Sequence, residues 1–256
     1  RLAMVYFLFL TVKLKIHQNS SMRFILLFCT FLLLFNCEDK QKQQKTTTDA
    51  SDIEQSDADD KPKVISNNVQ RKFPKLNDKN AMEFFLQYEK ENKEDKVRIT
   101  TDFGEIDILL FDKTKFHRAN FIFLTKQKYF ENTQFYRVID NFIVQAGNSD
   151  DRATARKRAK IGKYLLPTDT NRGYTHDRGV ISMPSSEIDN PHKLASPFEF
   201  FIVQQQGGAK FLDGDYTIFG KVTRGMDVID KIASVKTDEG DWPQKNIFIR
   251  KVEIID

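Results

Sequence analysis

Phe135-Tyr136-Arg137-Val138-Ile139-Asp140-Asn141-Phe142-Ile143-Val144-Gln145-Ala146-Gly147 is the most informative stretch of the chain. Its β-branched and aromatic residues predict a strand over 135–145. Arg137 breaks an otherwise apolar run with a charge that is fixed at any working pH. For an arbitrary strand, such an arginine is expected in an ion pair at a sheet edge. Residues two apart share a face of a strand, so Ile143 and Gln145 look the same way. Glu199 and Phe201 do so on another strand.

Further strands are predicted at 97–100, 106–110, 180–183, 200–204, 216–222 and 247–255. Asp102-Phe103-Gly104-Glu105 reads as a hairpin turn between the first two. A helix over 117–128 buries a broad face carrying Ala119, Phe121, Ile122, Phe123 and Leu124. A second helix over 226–233 follows Arg224-Gly225. Many short strands with two helices predict a mainly β fold, a closed antiparallel barrel with helical plugs. The chain has 23 Phe and one Trp, which suits a Phe-packed interior, with Phe121, Phe200 and Phe219 expected in the core.

Upstream of this domain the sequence changes character three times. Residues 1–37 read as an extension followed by an export signal. Met22-Arg23 is a charged start, residues 24–35 form an apolar run too short to span a bilayer, and Cys37 follows. Leu34-Phe35-Asn36-Cys37 resembles a bacterial lipobox, with Asn36 in place of the usual small residue, which makes Cys37 the expected lipidation site. The expected location is the cell envelope, with the domain tied to a membrane and facing the periplasm or cell surface. Residues 38–75 read as a disordered polar linker, because so little apolar surface cannot repay its ordering entropy. Residues 76–96 read as an extension helix, capped by Asn77 or Asp78 and packed through Met82, Phe85 and Leu86. The folded domain then occupies 97–256.

Composition excludes several classes. Lys and Arg number 40 against 36 Asp and Glu, and Arg1, Lys13, Lys15 and Arg23 all precede Cys37. Without those the chain is formally neutral, so no nucleic-acid partner is expected, since such binding rests on neutralising phosphates. Both cysteines, Cys29 and Cys37, lie in the apolar leader, which leaves the domain no disulfide or thiolate metal site. His17, His117, His176 and His192 lack ligand spacing, and no metal is expected. The run from 152 to 163 carries six Lys or Arg residues and reads as a solvated loop, with an electrostatic guide for acidic clients or lipid head groups as the sharper alternative.

Three motifs in order resemble those of the cyclophilin-type peptidyl-prolyl cis-trans isomerases. The opening stretch is similar to F-H-R-x-I-x-x-F-x-x-Q-G-G. Phe198-Glu199-Phe200-Phe201-Ile202 is similar to S-Q-F-F-I, and Phe211-Leu212-Asp213-Gly214-Asp215-Tyr216-Thr217-Ile218-Phe219-Gly220 to W-L-D-G-x-H-x-V-F-G. Together with the leader, the resemblance is to a bacterial lipoprotein form of the family. It implies an eight-stranded barrel with two capping helices, a monomer acting on proline-containing polypeptides, and no cofactor. X–Pro rotation needs no nucleophile or metal. It needs a donor to the prolyl nitrogen as that nitrogen becomes pyramidal, and an apolar seat for the ring. The resemblance gives the first role to Arg137 and makes Gln145 a hydrogen-bonding partner of the client backbone. Phe201 would floor the proline pocket, completed by Phe142, Met183 and Leu212, with Ile143, Glu199, Phe211 and Tyr216 also lining the substrate site.

The departures from the family pattern carry expectations of their own. Tyr136 stands for a His. Glu199 replaces a Gln and is expected to set a negative charge near Arg137, holding it or drawing it from substrate. Phe211 replaces the Trp of drug-sensitive members, which predicts weak cyclosporin binding for want of an indole N–H. Tyr216 stands where many members have His and is expected to pack on the proline ring. Pro184 and Ser185 stand where Ala-Asn is common, and the stretch 185–197 is expected to form its own surface loop. Two functions remain open: an isomerase aiding the folding of exported proteins, and a tethered proline-peptide-binding or chaperone module without useful turnover.

Overall fold

The computed structural model describes residues 72–185 and 190–256, all within a compact unit running from Asn68 to Asp256. The readings on the leader, on Cys37 and on nearly all of the linker lie outside these residues. Chain order is β1 (Leu76–Asn77), α1 (Ala81–Glu91), β2 (Lys96–Thr101), β3 (Gly104–Leu110), α2 (Lys115–Lys126), β4 (Gln134–Ile139), β5 (Ile143–Asn148), α3 (Arg152–Ile161), β6 (Gly162–Lys163), β7 (Val180–Met183), β8 (Phe200–Val203), β9 (Thr217–Arg224), α4 (Met226–Ala233) and β10 (Ile247–Ile254).

Eight strands close a barrel in the order β10-β2-β3-β9-β7-β8-β5-β4, every pair antiparallel. Alternation drives it. In β2, Val97, Ile99 and Thr101 are buried while Lys96, Arg98 and Thr100 face outward. The core is rich in phenylalanine, as the composition suggests. Phe121 of α2 stacks on Phe130 at 4.7 Å and meets Phe200 and Phe219 at 5.6 Å. Such ring pairs add about 1 kcal/mol each beyond the area they bury. Gly225 opens α4 at φ +94°, and a Cβ there would lie 2.3 Å from the Glu105 carbonyl oxygen. Only glycine fits this close crossing.

Two runs within the domain fold otherwise than their sequence predicts. The run 135–145 is a hairpin of β4 and β5 rather than one strand, because Asn141 adopts φ +50° and turns the chain. The basic run from 152 to 163 is not a loop. It forms α3, started by Asp151, whose side chain accepts from the Ala153 N–H, and stopped at Gly162. Its inward residues are few, only Thr154 and Ile161, so its apolar signal is faint.

The extension packs on the barrel. Phe73, in the stretch read as linker, meets Phe123 edge-on at 4.9 Å, so folded structure begins before Leu76. Asn80, rather than Asn77 or Asp78, is the cap position of α1, and Asp78 instead accepts from the Leu165 N–H. β1 runs parallel to β6, with Leu76 beside Gly162. A Cβ on Gly162, at φ +142°, would lie 2.0 Å from the Leu76 carbonyl oxygen, so the end of α3 and the extension lock together. Arg118 on α2, 3 % exposed, donates to Glu89 of α1 at 2.9 Å and also bonds Asp112. Glu89→Ala removes one carboxylate from this buried guanidinium and is expected to cost about 2 kcal/mol of stability, read as a lowered urea midpoint.

Candidate active site

One register line crosses five strands. Arg137 on β4 pairs with Gln145 on β5, Gln145 with Phe201 on β8, Phe201 with Ser182 on β7, and Ser182 with Ile218 on β9. Their neighbours Val138, Val144, Phe200, Ile181 and Phe219 belong to the barrel core, so this line lies on the opposite face. A register shift between Phe135 and Arg137 leaves Tyr136 as an extra residue, a β-bulge that aims both Tyr136 and Arg137 away from the core.

An apolar patch separate from the barrel core sits beside Arg137 and Gln145. Its buried part includes Ile143, Phe201 and Ile218, with Phe142, Leu212 and Tyr216 among the residues packed around them. Tyr216 meets Phe201 edge-on at 5.6 Å. Phe142, at the tip of the hairpin, stacks on Phe211 at 5.5 Å, and Phe211 is 68 % exposed. The structure thus brings together Arg137, Gln145, Phe142, Ile143, Phe201, Phe211, Leu212 and Tyr216. Met183 is not among them. Ser182 holds the outer position on β7, so alternation sends Met183 inward, where it is 1 % exposed in the barrel core.

Behind Phe201 lies a support that the sequence reading missed. His176 stacks on Phe201 at 6.0 Å with 12° between the planes. Its Nδ1 is 2.6 Å from Asp213, which also accepts from the His176 backbone N–H, and its Nε2 is 3.0 Å from Ser182 Oγ. Burial lowers the His176 pKa and Asp213 opposes that, with burial the larger effect. A neutral ring then donates from Nδ1 to Asp213 and accepts at Nε2 from the Ser182 hydroxyl, a tautomer assigned from these partners. The order of groups matches a serine hydrolase triad, yet Ser182 is fully buried, so no substrate can reach its oxygen. This chain of bonds holds the His176 ring flat against Phe201. Asp213 within the third motif was its one visible trace.

The polar end of the site is organised differently from the sequence expectation. Arg137 Nε lies 3.3 Å from Asp241, with both side chains about 40 % exposed. No other described residue bonds its guanidinium, which leaves both Nη groups available to a ligand. Glu199 neither holds nor diverts Arg137. One of its oxygens accepts from Arg158 of α3 at 3.0 Å, and the other from the Tyr136 hydroxyl at 3.0 Å. Tyr136 in turn accepts a short hydrogen bond from the Gln145 amide. Burial first, and Glu199 second, raise the Tyr136 pKa, so the phenol stays protonated and keeps donating.

A charged donor beside an apolar seat can polarise or twist a bound amide, and it needs no metal ligand or nucleophile to do so. The sequence comparisons agree with this geometry. The profile of the cyclophilin type peptidyl-prolyl cis-trans isomerase/CLD family matches residues 96–254. The chain belongs to the cyclophilin family. It is 36 % identical over 171 residues to a peptidyl-prolyl cis-trans isomerase-like protein of Rhizopus delemar, covering 66 % of this chain and 30 % of that relative. The cyclophilin thus spans less than a third of that fungal protein's length. A peptidyl-prolyl cis-trans isomerase of Acinetobacter baylyi is 33 % identical, with 62 % of this chain and 82 % of the relative covered. Among solved structures, a Cryptosporidium parvum cyclophilin crystallised in the presence of the dipeptide Ala-Pro has a TM-score of 0.52 and 27 % identity, covering 63 % of this cyclophilin and 99 % of the other.

Proposed function

We propose that this cyclophilin accelerates cis–trans rotation about X–Pro bonds in polypeptide clients. The observation that carries the reading is the register line, which sets Arg137, Gln145 and Phe201 side by side on one face. The proline ring sits on Phe201 between Ile143, Leu212 and Tyr216. Gln145 bonds the client backbone. As the bond twists, conjugation is lost and the prolyl nitrogen gains a lone pair, to which an Arg137 N–H donates. The ground-state amide nitrogen has no such lone pair, so the interaction favours the transition state alone. A ten-thousand-fold acceleration requires about 5.5 kcal/mol, and one preorganised charged donor supplies about 3 of it. The pairing of Glu199 with Arg158 gives that charge a partner other than Arg137, which supports turnover over a binding module.

We read the clients as exported proteins and the chain as tethered to the cell envelope through acylated Cys37, with residues 38–71 as spacer. The support is the apolar run before Cys37 and the scarcity of apolar residues after it. Two experiments test the proposal. NMR exchange on a short X–Pro peptide should show cis and trans signals exchanging faster with the full chain than without it; an unchanged rate rejects the isomerase reading. Labelling of cells with a fatty acid should mark the wild type and not Cys37→Ser; equal labelling rejects the anchor.

A further inference from the structure

Helix α3 reaches the site through Arg158. Arg158 donates from Nη2 to Glu199 at 3.0 Å and from Nε to the Tyr129 hydroxyl at 2.8 Å, while its guanidinium lies 5.2 Å from the centre of the Phe198 ring. Tyr129, itself fully buried, donates to the Gly147 carbonyl near the end of β5. The neighbouring Lys157 Nζ bonds the carbonyls of Lys128, Tyr129 and Glu131, which pins α3 to the chain leading into β4. From Arg158 the bonds run through Glu199 and Tyr136 to the Gln145 amide.

We propose that Arg158 is a positioning residue for the isomerase site: it neutralises Glu199 and, through Glu199 and Tyr136, fixes the side-chain amide of Gln145 toward the client. The inference rests on the isomerase reading above. Its physical basis is the carboxylate of Glu199, whose side chain is 18 % exposed. With Arg158 present, both carboxylate oxygens have donors and the phenol of Tyr136 has one acceptor. That geometry leaves Gln145 one internal partner, Tyr136. Without Arg158, a largely buried negative charge loses its cation, and a charge in such surroundings seeks another. The nearest relief is rearrangement of Tyr136 and Gln145, or attraction of Arg137 from its place beside the pocket.

The test is a cycle of four full-length proteins: wild type, Arg158→Met, Glu199→Gln, and the double variant. Each is checked for a cooperative melt, then measured for kcat and KM on an X–Pro peptide and for affinity toward the same peptide by NMR titration. Arg158→Met is expected to lower kcat/KM by about tenfold or more, the equivalent of one misplaced hydrogen-bonding group. Adding Glu199→Gln should restore the double variant to within about threefold of wild type, because a neutral amide needs no cation. If Arg158 only holds α3 in place, the double variant stays as low as Arg158→Met, and the proposal fails. It also fails if Arg158→Met, properly folded, keeps wild-type activity and affinity. If the wild type shows no turnover at all, the isomerase reading falls on its own, and the affinity cycle still decides whether Arg158 organises the peptide site.

Discussion

Arg137→Ala is expected to lower kcat/KM on an X–Pro peptide by about a hundred- to a thousandfold, the usual cost of removing one preorganised donor from a developing charge. Stability should hardly change. The side chain is 41 % exposed and its one partner among the described residues, Asp241, is 39 % exposed, so their ion pair is worth under about 1 kcal/mol. Activity and stability therefore separate at this position, which distinguishes a catalytic arginine from an edge-of-sheet ion pair. Arg137→Lys should recover only part of the loss. An ammonium is a compact, strongly hydrated point charge without the planar fork that can bond nitrogen and carbonyl groups together. Stopped-flow or NMR exchange rates provide the measurement. A loss smaller than about threefold, or about 0.6 kcal/mol of barrier, would remove Arg137 from the mechanism.

A loss of about 3 kcal/mol of folding stability is expected between pH 6.5 and pH 4, arising at His117. This histidine sits on α2, 1 % exposed, with neither ring nitrogen bonded to any described residue, and stacks near Phe219 at 6.4 Å. Burial pulls its pKa down to about 4, only partly opposed by Asp169. The unfolded chain takes up this proton near pH 6.5, whereas the folded chain resists until about pH 4. In that window the unfolded state binds more protons, so the stabilisation is complete above pH 6.5 and disappears as pH falls. His176 contributes in the same direction, since its pKa is also lowered by burial. Depressed carboxylates such as Asp107, held low by Arg98 and Arg224, act only at still lower pH. Urea unfolding at pH 7 and pH 4.5 measures the effect. His117→Leu removes the titrating group at little packing cost and should flatten the decline; an equally steep decline in that variant would assign it elsewhere.

Several features of the fold were legible in the residues. Period-two alternation in β2 and β3, with Asp102-Phe103 between them, required a hairpin with one buried face. The phenylalanines 121, 200 and 219 lie where their spacing put them. Arg137, Gln145 and Phe201 were named through the resemblance of their motifs to the cyclophilin family, and strand periodicity added only which residues share a face. Other features were not legible, for identifiable reasons. The turn within 135–145 depends on Asn141 accepting a positive φ, which the apolar residues flanking Asp140-Asn141 disguised. Helix α3 buries only two of its residues, so no hydrophobic period announced it.

The sequence by itself determined which side chains a strand can present to one face and which groups carry charge, since those follow from chain geometry and ionisation. It thereby supplied the barrel, while the roles of Arg137 and of the apolar residues came from the resemblance of the motifs to the cyclophilin family. Only the tertiary structure decided the partners of those groups. Met183 turned inward because Ser182 took the outer register position against Phe201. Glu199 was relieved of its conflict with Arg137 by Arg158, 41 residues away along the chain. A buried charge is governed by what folding brings within about 3 Å of it, and no local pattern records an approach across that many residues.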